Sequence, residues 1–326
     1  MFSAVKKYNM AKSVIKKSNI HISENGLENH QPEKRLEVLK TYKIYIGGQF
    51  PRTESGRYYV PTNAKGKKLA NVCLSSRKDV RDAVESARNA FGGWSARAAF
   101  NRGQILYRMA EMLEGRKAQF IDELMQQDAA KAKAEHEVNL SIDRLIYYAG
   151  WCDKYQQVLS AVNPVASSHF NFSVPEPTGV VCIIAPQQDS LLGLVSVIAP
   201  VIAGGNTCVV VGSYDKPLSC VTFAEVLNSS DLPGGVVNIL TGKACELAPW
   251  MADHMDVNAV LYCEKDAATQ KMLREKAAGN VKRVLIYDKV NWYSDAGQSP
   301  YFINVFQEIK TTWHPIENIG GAGSKY

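Results

Sequence analysis

No cysteine pair in the 326-residue sequence has CxxC spacing. Cys73, Cys152, Cys182, Cys208, Cys220, Cys245 and Cys263 lie far apart. His21, His30, His136, His169, His254 and His314 stand clear of them and of one another. That excludes the ligand spacing of a zinc site and a dense disulfide framework. Several cysteines fall inside apolar runs, where they act as small hydrophobes, and the expected setting is reducing and cytoplasmic. Long apolar runs are missing too. Residues 191–205 form the longest, interrupted by Pro200 and short of the roughly 20 residues that span a bilayer. No membrane role is expected.

Acidic residues are absent from the first 20 positions, which hold Lys6, Lys7, Lys12, Lys16 and Lys17. These five account for most of the net charge of +6, leaving +1 on the rest of the chain. Charge confined in this way reads as a solvated tail, and no nucleic-acid recognition motif follows it. The stretch faintly resembles a transit peptide but carries no Arg. Residues 1–40 as a whole are polar, aperiodic and expected to be flexible. Fingerprints of common nucleotide and hydrolase sites are also missing. There is no G-x-G-x-x-G, no P-loop around Gly242–Lys243 and no G-x-S-x-G.

Against these absences stands a regular alternation. YKIYIGGQF (42–50) predicts a strand turning at Gly47–Gly48. Ser76 and Asp79 are spaced as a capping box, and Val80, Val84, Ala87 and Phe91 then share one helical face until Gly92–Gly93 stops the helix. Ile105, Met109, Met112 and Leu113 mark a second helix. Val138, Ile142, Leu145 and Ala149 mark a third, over 134–151. From Val180 short apolar runs predict strands at 180–185, 207–212, 236–240, 259–262 and 283–287. Helices over 190–203, 217–228, 244–253 and 266–278 lie between them. Strands alternating with such helices specify a parallel sheet covered on both faces. The fold class is α/β: a Rossmann-like doubly wound sheet preceded by a helical block.

PTGVVCIIAP (177–186), IAPVIAGGNTCVV (198–210) and DLPGGVVNILTG (231–242) follow YIGGQF (45–50), AFGGW (90–94) and YYAGW (147–151). In content and order these segments resemble the landmarks of the NAD(P)-dependent aldehyde dehydrogenase superfamily. The resemblance divides the chain into a flexible basic tail (1–40), a degenerate NAD(P)-binding domain (41–287) and a C-terminal arm (288–326).

The resemblance also implies a task for each strand-end turn, and there the residues depart from the family pattern. An aromatic–Asn–Phe–Pro turn, whose Asn helps form an oxyanion hole, is replaced by Gln187, Gln188, Asp189 and Ser190. Gln188 keeps an amide and Asp189 brings negative charge; Asp189 or Ser190 is expected to cap the following helix. A ribose-binding Lys is replaced by Val211, with Tyr214 close by, free to stack on an adenine or simply to pack. Where a Thr–Gly–Ser turn faces the pyrophosphate, this chain has Cys263, Glu264, Lys265 and Asp266. Glu264 and Asp266 are expected to cap the helix there and to repel a pyrophosphate. The general-base Glu is replaced by Tyr287, a phenol of ordinary pKa about 10 and no substitute for a carboxylate base. Asp288, one residue on, is expected on the opposite face. The family's nucleophilic Cys comes after that Glu in a separate catalytic domain; here no Cys follows Cys263.

YFINVFQEIKTTWHP (301–315) resembles the closing segment of full-length members, where a strand helps build the oligomerisation arm. Gln307–Trp313 alternates weakly, as a strand seeking a partner does. Gly320–Gly321–Ala322–Gly323 reads as a loose tail. Together these features resemble the degenerate C-terminal module of the two-module aldehyde dehydrogenases, standing alone and without a catalytic domain. The resemblance implies no catalytic residue, no cofactor beyond weak NAD or NADP binding, and no nucleic-acid partner. It implies assembly through the arm with a complete aldehyde dehydrogenase subunit or with a second copy. NAD(P)-dependent aldehyde oxidation, or dinucleotide binding without chemistry, are the alternatives it leaves open.

Overall fold

Five runs of four or five apolar residues form a parallel sheet, because the helix after each returns the chain to the end where it started. The computed structural model describes residues 36 and 38–316, and those from Leu39 onward form one unit. The expected flexible tail falls almost wholly outside the described residues, as does the glycine run at 320–323.

Strands β1 (Thr41–Tyr42), β2 (Tyr58–Tyr59) and β3 (Asn71–Cys73) make a small sheet in the order β1-β3-β2. Helices α1 (Arg77–Ser95), α2 (Ala99–Gly115), α3 (Lys117–Gln126), α4 (Lys131–Trp151) and α5 (Tyr155–Leu159) follow. Strands β4 (Ala161–Asn163) and β5 (His169–Pro177) then lead into the main sheet. That sheet alternates β6 (Val180–Ile184), α6 (Leu192–Ala203), β7 (Thr207–Val211), α7 (Leu218–Asn228), β8 (Val237–Leu240), α8 (Ala244–Asp253), β9 (Ala259–Tyr262), α9 (Ala267–Ala278) and β10 (Arg283–Ile286). Its order is β10-β9-β6-β7-β8, all parallel. The winding reverses between β6 and β9, and in doubly wound sheets ligands sit outside the strand ends at that boundary.

Residue alternation assigns the two faces of the central strand. Val181 and Ile183 of β6 join the core built with α2, α4 and α6, while Val180, Cys182 and Ile184 join that of α1, α8 and α9. No helix among the described residues is long and apolar enough to cross a membrane.

Two local expectations need correction. The first helix runs through Gly92–Gly93 to Ser95. Trp94 explains why: it is buried, and its indole N–H donates to the Ile202 carbonyl at 3.0 Å. That anchor outweighs two glycines costing about 1 kcal/mol each relative to Ala. The capping box expected at Ser76 and Asp79 is present, with the Ser76 N–H donating to Asp79 Oδ2 at 2.7 Å. Of the 42–50 strand, only Tyr42 belongs to one. Beyond it Tyr45 exchanges backbone hydrogen bonds with Ile239 at 2.9 and 2.8 Å. Gly47 and Gly48, at φ 62° and 79°, then turn the chain so that Ile46 pairs with Gln49.

After β10 the chain crosses back over α6. Trp292, Ile303 and Phe306 enter the same core as α2, α4 and α6, Ile303 from the short helix α10 (Tyr301–Asn304). Strand β11 (Gln307–Pro315) then pairs antiparallel with β5 along nine residues, from Gln307↔Pro177 to Pro315↔His169. The third sheet is thus β11-β5-β4.

Candidate functional site

At the carboxyl end of β6 the chain passes through Pro186 into Gln187, and there the boundary with β9 is closed by the protein itself. The Gln187 N–H donates to Glu264 Oε1 at 2.9 Å, from the turn after β9. Gln187 also reaches β7. Its side-chain Oε1 accepts the Tyr214 N–H at 2.8 Å, and its carbonyl accepts the Ser213 hydroxyl at 2.7 Å. Its Nε2 donates to the Ala185 carbonyl at 2.9 Å. Lys216 completes the lattice, with its N–H on Ser213 Oγ at 3.1 Å and its ammonium on the Gln188 carbonyl at 3.1 Å. Three strand ends are therefore tied together through one glutamine. Backbone groups that would otherwise meet water or a ligand are already paired.

The cap of α6 differs from expectation. Neither Asp189 nor Ser190 provides it; Ser190 donates to the Lys216 carbonyl at 2.6 Å instead. The carboxylate of Glu137, from the middle of α4, accepts the N–H groups of Leu191 and Leu192 at 2.9 and 3.3 Å. Its other oxygen accepts the Tyr293 hydroxyl at 3.1 Å. A buried carboxylate at a helix N-terminus is favoured by the helix dipole and by the unpaired N–H groups. Two helical turns on, the buried Arg144 donates to Ser196 Oγ at 2.7 Å, to the Trp292 carbonyl at 3.0 Å and to the Gly297 carbonyl. Glu137, Ser141, Arg144 and Tyr148 recur at three- and four-residue spacing on the buried face of α4. Sequence reasoning followed only the apolar members of that face and missed them. The available signal was a carboxylate and a guanidinium sharing a stripe with Val138 and Leu145.

The remaining positions singled out by sequence are brought to the same end of the sheet, and all but the Gln188 side chain are already engaged. Val211 is fully buried inside β7. Tyr214 stacks on Tyr59 with centroids 4.5 Å apart and planes at 13°. Gln188 is exposed. Asp266 caps α9 by accepting the Ala268 N–H at 3.1 Å, whereas Glu264, expected to share that role, serves Gln187. Tyr287 packs its ring on Phe302 at 5.1 Å, and burial raises its phenol above the ordinary range, Cys263 adding to the effect. Asp288 accepts the Gln270 amide at 3.1 Å. Burial pushes the thiols of Cys152, Cys182 and Cys220 up to about 12 and that of Cys263 well above its ordinary value. None of these four is an activated thiolate.

A cleft of about 760 Å³ lies between α2 and α4, away from the strand ends, and one of about 460 Å³ adjoins them beside Tyr59, Tyr214 and Lys216. Among the described residues no group of three or more His, Cys, Asp or Glu is placed to hold a metal ion. The donor set also fails to fit a dinucleotide. A pyrophosphate at the boundary would meet the Glu264 carboxylate and displace the Gln187 bond, and the Val211 position offers no donor to a ribose.

Two substitutions test this geometry. Glu137→Ala leaves two buried N–H groups and a phenol without their acceptor, and is expected to cost about 3 kcal/mol of unfolding free energy in urea. Glu137→Gln keeps one acceptor oxygen and is expected to cost about 1 kcal/mol. Asp189 is the pH-dependent case. Burial, then the nearby Glu137, raises its carboxyl above the ordinary value. A raised carboxyl contributes fully below the unfolded value of about 4, and that contribution is lost as pH climbs through the folded value. Asp189→Asn is therefore expected to raise the melting temperature at pH 7 and to leave it unchanged below about pH 4.

The fold agrees with comparisons to known proteins. The aldehyde dehydrogenase family model matches residues 50–287. The mouse (Mus musculus) cytosolic 10-formyltetrahydrofolate dehydrogenase is 32% identical over 261 residues, which is 77% of this chain and 28% of that protein. The human (Homo sapiens) mitochondrial 10-formyltetrahydrofolate dehydrogenase is 30% identical, over 76% of this chain and 28% of that protein. Among solved structures, the NAD+ complex of an aldehyde dehydrogenase from Bacillus cereus superposes with a TM-score of 0.71 at 25% identity. It covers 76% of this chain and 50% of its own. This chain thus spans well under a third of the first relatives and half of the solved one. It belongs to the aldehyde dehydrogenase family.

Proposed function

We propose that this chain is a non-catalytic member of its family: a structural or regulatory subunit that assembles through its C-terminal arm with a complete aldehyde dehydrogenase or with a second copy. The observation that carries the reading is the Glu264 carboxylate on the Gln187 N–H, which puts the chain's own anion at the boundary where a doubly wound sheet takes a ligand's. Tyr287 in an aromatic cluster supports it, since a buried phenol with a raised pKa is a poor base near neutral pH. So does the short passage from β10 to β11. Some twenty residues join them, pinned by Arg144 and packed on α6, leaving no domain between the last strand of the sheet and the arm.

The arm supports assembly. Beyond Gln307, β11 is exposed along its length, and Ile309 and Trp313 are over half exposed. Such an edge is a site for strand pairing. A binding role without chemistry keeps the family's fold while relaxing its strand-end residues, as fold alone carries no activity.

The test is co-expression with a complete aldehyde dehydrogenase, followed by native mass measurement and an aldehyde-dependent assay with NAD+ or NADP+. Assembly into a defined oligomer is expected, with no reduced dinucleotide formed by this chain alone. A stable lone monomer, or turnover that persists through repurification, overturns the proposal.

A further inference from the structure

Strand β11 lies at the edge of its sheet, and its pairing pattern can be read residue by residue. Two bonds in the β11–β5 register fix the parity: Thr178 N–H to the Phe306 carbonyl at 3.2 Å, and Ile316 N–H to the Ser168 carbonyl at 3.0 Å. Bonded pairs alternate along an antiparallel ladder. Even-numbered residues therefore turn their backbone groups to β5, and odd-numbered ones turn theirs to the open edge. Of the odd residues, Gln307 has its carbonyl engaged by the Arg283 guanidinium at 2.9 Å, and Pro315 has no N–H. What is left is Ile309, Thr311 and Trp313, a stretch symmetric about Thr311.

We propose that β11 pairs antiparallel with β11 of a second copy, about a two-fold axis at Thr311. The inference rests on reading the arm as an assembly element and names its partner and register. About that axis Thr311 meets its own counterpart and Ile309 meets Trp313, each pair exchanging two backbone hydrogen bonds. Side chains at facing positions share a face of the sheet. Ile309 and Trp313, 56% and 57% exposed, cover each other; Glu308 faces His314; Lys310 faces Thr312. No like charges oppose.

Neighbouring registers lose this match. Centring on Thr312 sets Ile309 against Pro315, which cannot donate, and Lys310 against His314. Centring on Lys310 sets Trp313 against Gln307, whose carbonyl is taken. A shift by a single residue pairs outward-facing groups with inward-facing ones. The self-complementarity resides in this strand alone, which is why a second copy is its occupant.

Cysteine cross-linking reads the register directly. Cys245, the exposed cysteine, is first replaced by Ala; the other six are buried. In that background Thr311→Cys is expected to give a disulfide-linked dimer as the main species under mild oxidation, its two Cα atoms lying about 5.5 Å apart. Trp313→Cys is expected to give none, because its two copies would stand about 14 Å apart. Thr311→Pro removes an outward N–H that no strand of the same chain uses, a change edge strands tolerate. It is expected to leave circular dichroism unchanged and to abolish the dimer in native mass spectra.

Equal cross-linking of Trp313→Cys, or a dimer that survives Thr311→Pro, overturns the register. A parent chain that is monomeric alone yet joins a co-expressed complete aldehyde dehydrogenase overturns self-pairing and leaves the proposed function standing. Failure to assemble with either overturns both.

Discussion

The backbone donors at the carboxyl end of β6 must be satisfied, and the way this chain satisfies them governs the rest of the site. In a doubly wound sheet these groups face the boundary where the winding reverses, and they are the natural seat of an anion. Here two carboxylates of the chain take that seat. Glu264 accepts from Gln187, and Glu137 accepts from Leu191 and Leu192. Once both are in place, an incoming phosphate would meet negative charge and lose the donors it needs.

The surrounding structure is consistent with that closure. Gln187 spends its side chain on tying β7 to β6, so it acts as a brace between the two strand ends. Tyr214 and Tyr59 stack on each other. Tyr293 and Trp292, on the passage after β10, are held by Glu137 and by Arg144. The same face of α4 therefore caps α6 and anchors the segment that leads to the arm. The strand ends are bonded internally, while among the described residues the outer side of the arm has no strand beside it.

Much of the fold was legible in the sequence. VVCII, TCVVV, VNIL, AVLY and RVLI are short apolar runs separated by helical patterns, and each became a strand of the main sheet. The strand-end positions were legible as places, because resemblance to a family located them. Their bonding was not. Glu264 could be read as a helix cap from its position before α9, but its actual partner lies 77 residues away in sequence, across a strand boundary. Glu137 and Arg144 were hidden for the same reason: a charged residue on an amphipathic helix shows its partner only once the helix is packed. Gly92–Gly93 misled in the opposite way. Local propensity argued for a stop, and a buried Trp94 overrode it. Strand β5, with its prolines and polar residues, carries no strong period and is a strand because β11 and β4 flank it.

The central claim is that the chain's own carboxylates occupy the place of a ligand at the β6–β9 boundary. Calorimetric titration of the purified chain with NAD+ and with NADP+ tests it most directly. The account requires no saturable heat for either. Saturable binding with Kd below about 100 μM, roughly −5.5 kcal/mol, would contradict it.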